Sequence, residues 1–132
     1  MENCIFCKII KGEIPSYKVA ETEEAYAFLD IGPLSPGHTL VLPKKHIANI
    51  FEADPKDLYP VLDLVQKIAA KMKANLKCDG VNILINNGEA AGQSVMHCHW
   101  HIIPRKAGDG YHFPPAGTLS PEDAQKIRDA LK

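Results

Sequence analysis

Three of the six histidines stand at alternate positions in GQSVMHCHWHIIPR, residues 92–105: His97, His99 and His101. A period of two belongs to a β-strand, where alternate side chains share a face. The interleaved Cys98, Trp100 and Ile102 can enter a core. A strand over residues 95–103, stopping near Pro104, would have one apolar face and one face of imidazoles. Solvated rings on a polar face are the plain alternative, but strict alternation behind a Gly-Gln-Ser loop points to chemistry. Same-face residues lie about 7 Å apart along a strand, so three in a row cannot all bind one tetrahedral ion whose ligands sit ~2 Å away. A neutral imidazole, available near its ordinary pKa of about 6.5, attacks phosphorus and leaves once protonated, which suits a two-step displacement. Gly92 and Ser94 are small enough to admit an anion to backbone N–H groups, and the Ser94 hydroxyl can donate to a leaving oxygen or nitrogen. Cys4 and Cys7, spaced Cys-x-x-Cys, form half a metal site or simply pack on a short helix.

The elements that must hold these residues alternate between periods. A short helical turn over 4–11 ends at Gly12 and Pro15. Two short strands, 17–21 and 25–30, flank a turn at Glu23–Glu24. IGPLSPGH (31–38) is a loop marked by proline and glycine, and HTLVLP (38–43) is a strand. Residues 46–51 suggest a short helix. A long helix opens at Asp54–Pro55, with Leu58, Val61, Leu62, Val65, Ile68, Ala69, Met72 and Leu76 at spacings of three and four. Pro60 should delay its start or split off its first turn. VNILIN (81–86) is a strand, NGEAAGQ (87–93) a loop, 107–117 irregular, and Ser120–Pro121 opens a last helix. This order predicts an α+β fold with a mainly antiparallel sheet, one long helix and a C-terminal helix.

The chain has 132 residues, enough for one domain with one core. Fifteen Lys and Arg against sixteen Asp and Glu leave no field to recruit nucleic acid or an acidic membrane. No run approaches the ~20 apolar residues that span a bilayer. The first residues lack the pattern of a secretory leader. We therefore expect a cytoplasmic protein with thiols or metal-bound cysteines, not disulfides.

MHCHWHII (96–103) resembles the histidine-triad signature of the HIT family, and AFLDIGPLSPGHTLVLPKKHI (27–47), DGVNILINNG (79–88) and GQS (92–94) agree with it. The resemblance covers roughly residues 4–108 and points to a zinc-containing, prokaryotic-type, Hint/Fhit-like member. It implies a HIT-like fold that pairs into a homodimer and acts at the α-phosphate of a nucleotide. The middle histidine, here His99, would be the nucleophile, passing through a covalent nucleotidyl-histidine that water cleaves. His101 and His38 match the histidines that flank the phosphate and orient the nucleophile. Gln93 and Ser94, with Gly92 beside them, match phosphate and leaving-group contacts. Asp30 matches the acceptor of the ribose hydroxyls, Asn86 a loop asparagine near the phosphates, and Ile31 a wall of the base pocket. Ile31 is equally readable as core.

The resemblance also joins Cys4 and Cys7 to His46 and His97 as a closed, structural zinc site, making residues 1–12 a zinc-binding segment of one HIT domain spanning 1–132. Cys98, on the apolar face, reads as core, and His112 as exposed. Residues 108–132 form a tail and helix that match no branch. His101 stands where the transferase branch carries Gln, so hydrolysis is expected. PKKHI (43–47) is shared with purine nucleoside phosphoramidases, whereas PRKAGD (104–109) looks more like dinucleoside polyphosphate hydrolases. Nucleoside phosphoramidate hydrolysis is the leading reading. A dinucleoside polyphosphate hydrolase, a zinc hydrolase that activates water, and a nucleotide-binding interaction protein are the competitors.

Overall fold

The computed structural model describes residues 3–132; Met1 and Glu2, the first two of the N-terminal segment 1–12, lie outside the described residues. Five strands, β1 (Lys18–Glu21), β2 (Ala25–Leu29), β3 (Thr39–Pro43), β4 (Gly80–Ile85) and β5 (Trp100–Arg105), form an antiparallel sheet in the order β1-β2-β3-β5-β4. Helix α1 (Ile5–Ile10) covers one face, α2 (Pro55–Asn75) covers the other, and α3 (Pro121–Ala130) follows the tail. The fold is α+β, as expected from the order of periods. Among the described residues no helix is long and apolar enough to cross a membrane.

Alternation along the strands sorts the core into two layers. Ala25, Ala27, Val41, Trp100 and Ile102 pack with Val61, Leu64, Val65, Ile68 and Met72 of α2, and Cys78 and Cys98 join them. Tyr26, Phe28, Leu40 and Leu42 point the other way, onto Cys4, Phe6, Cys7 and Ile9 around α1. The central strands are buried on both faces, which accounts for their near-continuous apolar sequences.

Three local expectations are corrected. The β5 ladder begins at Trp100, not 95, and runs through Pro104 to Arg105. Pro104 pairs with Val81 of β4, while the β3 ladder ends at Thr39↔Ile102. Its missing N–H therefore faces a place where no β3 partner remains, and its carbonyl accepts from Ser35 Oγ. Residues 46–49 are not helical; only a 3₁₀ turn at Ile50–Glu52 forms. The carbonyls of Ile47 and Ala48 accept from Cys98 N–H and Gln93 Nε2 instead of from a helical neighbour. Finally, α2 is continuous from Pro55 despite Pro60. The N–H that Pro60 lacks would serve only Lys56, whose carbonyl lies in the exposed first turn.

The loop 30–38 is drawn tight against this frame. Asp30 N–H donates to His38 O, and His38 N–H to Ser35 O. Gly37 has φ +100°, and a Cβ there would stand 2.8 Å from Leu76 Cδ1, so glycine alone fits this approach. At the other end, the Arg105 guanidinium grips Asp109 through two 2.7 Å bonds and covers the Tyr111 ring at 4.4 Å. Beyond this clasp, α3 is capped by Ser120 and buries no residue. His112 is exposed, as read from the sequence.

Candidate active site

Backbone carbonyls and one backbone N–H assign the tautomers of the histidines. His99 Nδ1 lies 2.7 Å from the His97 carbonyl. A carbonyl only accepts, so Nδ1 carries the proton and Nε2 keeps its lone pair. Leu34 N–H donates to His38 Nδ1 at 3.1 Å, which leaves the His38 proton on Nε2. That proton is donated to His101 Nδ1 at 2.9 Å. His101 Nε2 must then carry a proton, and among the described residues it is buried without a hydrogen-bond partner. The His99 and His101 rings are 5.0 Å apart. A bare nitrogen lone pair thus adjoins an unanswered N–H donor. Such a donor awaits an acceptor of the kind a phosphoryl oxygen supplies.

Burial sets the charge of this group. It holds His99 and His38 below the ordinary imidazole range, against the opposing pull of Asp30. His101 is pushed down to about 4 by burial, with His99 and His38 adding to the effect. The rings are neutral at pH 7, as a nucleophile requires.

Beside these rings opens a cleft of about 300 Å³, lined by Ile5, Phe6, Ile9, Phe28, Leu40 and Val95, with Asp30, Ile31, Ser94, His99 and His101 at its polar end. Ile31 is on the wall and largely exposed. Asp30 Oδ1 accepts from Gly32 N–H, and Oδ2 lies 3.7 Å from His38 Nε2. Ser94 is exposed on the rim. The structure does not bring every expected residue to the cleft with free polar atoms. The Gln93 amide is committed to Gly88 N–H, Ala48 O and Val95 O. Gln93 therefore shapes the 87–93 loop. Asn86 sits at the end of β4 against Gly92, whose φ of +97° closes the loop turn. Sequence reasoning missed Phe6, whose ring meets His99 edge-to-face at 5.0 Å. The apolar spacing of IFCKII signalled a helix but not what its aromatic ring would touch.

Cys4, Cys7, His46 and His97 place their donor atoms within 4.8 Å of one another. Cys4 Sγ is 3.4 Å from His97 Nδ1, and Cys7 Sγ is 3.4 Å from His46 Nδ1 and 3.6 Å from His97 Nδ1. Tetrahedral bonds of ~2.3 Å to sulfur and ~2.0–2.1 Å to nitrogen set S···N separations of about 3.5 Å, so the four donors fit such an ion. His97 Nε2 donates to Pro43 O at 2.7 Å, which turns the lone pair of Nδ1 to the sulfurs. Burial pushes His97 down to about 4 and raises the Cys7 thiol. Asp30, His38 and His101 make a second cluster of potential donors. There Leu34 N–H occupies the one lone pair of neutral His38, so the cluster holds a fixed hydrogen bond from His38 to His101 and offers no metal ligand at His38 Nε2. Cys98 is sealed in the α2 layer, its thiol raised to about 11 by burial, and is packing alone.

The HIT domain profile matches residues 11–108. The chain belongs to the HIT domain family. It is 48% identical over 134 residues to the protein named Protein hit of Bacillus subtilis, covering 98% of this chain and 92% of that one. It is 41% identical over 132 residues to an adenosine 5'-monophosphoramidase of Schizosaccharomyces pombe, covering 98% and 96%. A crystal structure of a HIT family member from Bacillus subtilis superposes with a TM-score of 0.90 at 47% identity, covering 98% of this chain and 94% of that one. A zinc-bound histidine triad family protein from Mycobacterium smegmatis does so at 0.81 and 37%, with the same coverage. In this HIT chain the signature histidines divide their work: His97 turns to the thiols, while His99 and His101 turn to the cleft.

Proposed function

We propose that this HIT protein hydrolyses purine nucleoside phosphoramidates at the α-phosphate through a nucleotidyl-His99 intermediate. The observation that carries the reading is the pairing of the His99 Nε2 lone pair with the unpartnered His101 Nε2–H at the mouth of an apolar slot. The base enters the slot between Ile5, Phe6, Ile9, Phe28 and Ile31. Asp30 Oδ2 receives the ribose hydroxyls. His99 Nε2 attacks phosphorus, the P–N bond to the amine breaks, and the amine departs with the proton of the Ser94 hydroxyl, which is restored by the proton released when water cleaves the P–Nε2 bond. His101 Nε2–H, held by His38, meets the developing charge on a phosphoryl oxygen. Water then attacks phosphorus, the P–Nε2 bond breaks, and nucleoside monophosphate leaves. The Ser94 backbone N–H faces the phosphate, on a loop that Gln93 keeps in shape and whose Gly92 and Gln93 N–H groups donate to Glu89 O and Gly88 O, with Asn86 behind it.

The name of the fission-yeast relative supports the phosphoramidate reading over dinucleoside polyphosphates. A parallel assay of an adenosine phosphoramidate and a diadenosine polyphosphate tests it. We expect the phosphoramidate to have the higher kcat/KM; the reverse order would replace the leaving group. Zinc is the ion that the Cys2His2 set suits, and four protein ligands leave it no water to activate. When bound it supplies a crosslink between α1 and the 97–99 segment, not a Lewis acid for substrate. A homodimer fits the open edge of β4 with its exposed Ile83, and the exposed Tyr59 and Leu62 of α2. β5, by contrast, is interior to the sheet and contributes no edge. A hydrodynamic mass near one 14.5 kDa chain at micromolar concentration would contradict the dimer.

A further inference from the structure

Helix α1 has two working faces. Cys4 and Cys7, three residues apart, turn their sulfurs to His46 and His97. Ile5, Phe6 and Ile9, on the other side of the same short helix, line the cleft. The backbone hydrogen bonds of residues 4–13 are local: Lys8 N–H to Cys4 O, Lys11 N–H to Cys7 O, Gly12 N–H to Ile9 O and Glu13 N–H to Lys8 O. Among the described residues no strand ladder fastens α1 to the sheet. Six residues are too few to hold a helix by propensity. What docks α1 is side-chain packing on Tyr26, Phe28 and Leu40, together with whatever the two thiols bind.

A second connection runs through the same corner. The His97 ring faces the sulfurs, and its carbonyl holds His99 Nδ1–H at 2.7 Å. Phe6 closes the loop between the two. Its ring stands 6.0 Å from His97, 5.0 Å from His99 at 87°, and 5.6 Å from Phe28.

We infer that α1 couples the two sites, so that a metal ion on Cys4, Cys7, His46 and His97 and a nucleotide in the cleft each strengthen the binding of the other. The inference rests on the nucleotide and zinc readings of the preceding section. A metal crosslink orders α1 before the base arrives, so the nucleotide does not have to order the wall of its own slot. The effect is reciprocal by thermodynamic necessity, and couplings of this kind run from about 5-fold to 150-fold. Phe6 carries the coupling as a positioning residue, because it touches the nucleophile and is flanked by the thiols.

The full-length chain, zinc-loaded and chelator-treated under reducing conditions, is titrated with AMP by calorimetry. In the reciprocal arm, the equilibrium distribution of zinc between the loaded protein and a chromogenic chelator is measured with and without saturating AMP. We expect AMP to bind the metal-free chain at least about fivefold more weakly, and AMP to tighten zinc by the same factor. Phe6→Leu should retain zinc while its coupling factor falls toward one. AMP affinity independent of metal, with a zinc distribution independent of AMP, would overturn the coupling while leaving the nucleotide and metal readings intact. A coupling unchanged in Phe6→Leu would overturn the role of that ring. Failure of the loaded protein to bind AMP would sink the nucleotide reading and the coupling with it. If the metal-free chain loses its fold, the zinc distribution decides by itself.

Discussion

On the α2 face of the sheet, Val41, Trp100 and Ile102 meet Val61, Val65 and Ile68 in an apolar layer. On the α1 face, the same strands place His101 opposite Leu40, under a layer containing Cys4, Phe6 and Cys7. One-residue alternation is the whole difference between them. The first face buries apolar surface and needs only shape. The second buries rings that want protons, thiols that want a metal and an N–H that wants an acceptor. It tolerates them because carbonyls of His97 and Pro43 and the N–H of Leu34 answer most of their polar atoms. The chemistry is therefore placed on the face that costs stability, and the opposite face supplies the stability that supports it.

Substitutions can break that contrast. The largest expected effect is on the α1 face. His99→Gly should lower turnover by about 10³-fold or more while AMP affinity stays within a few-fold, since the slot and Asp30 remain. Steady-state kinetics and calorimetry read the two quantities. Appreciable activity in this variant would remove His99 from the mechanism. On the α2 face the pattern should invert. Ile102→Ala deletes a fully buried side chain, and should cost about 2–5 kcal/mol in denaturant unfolding, with kcat per folded molecule nearly unchanged.

The metal corner should fall between these extremes. The double change Cys4→Ser, Cys7→Ser should release metal and lower the melting temperature, yet leave substantial kcat at a temperature where the fold survives. KM should rise, through the loosened α1. Metal content below a few tenths of an equivalent in the unmodified protein would sink the site. Complete loss of kcat in the folded, metal-free variant would favour a metal-activated water.

The smallest effect is one of pH. His97 and His101 have folded-state values near 4 against an ordinary 6.5. On acidification the unfolded chain therefore takes up protons first. Stability of the metal-free protein is full above about pH 6.5 and is lost as pH falls from there toward 4. Turnover, which needs a neutral His99, should hold through pH 6.5 and fall only below it. An acid limb centred at 6.5 in kcat would show that burial does not keep the ring neutral.

Much of this architecture was legible in residue spacing. The apolar positions of α2, the interleaved Cys98, Trp100 and Ile102, and the strand pairs around the loops all follow from periods of three to four or of two. The alternating histidines marked the candidate site, but the roles expected of its residues came only from the resemblance to the HIT signature. What spacing could not reveal is where backbone groups point. The tautomers of His38, His97 and His99 depend on Leu34 N–H and on the Pro43 and His97 carbonyls, which no side-chain motif encodes. Gln93 is free in the motif but committed in the fold, since three backbone groups converge on it. The helix expected at 46–51 fails for the same reason: distant donors claim its carbonyls. Phe6 escaped notice because its role arises only when α1 folds over the histidines.

In the proposed reaction His99 forms a covalent nucleotidyl bond. Protein mixed with an adenosine phosphoramidate, quenched within milliseconds in alkaline denaturant and analysed by intact mass and peptide mapping, tests it directly. We expect a species heavier by one adenylyl group, mapped to His99 and lacking in His99→Gly. Full turnover with no adduct at any quench time, or an adduct on His97 or His101, would contradict it.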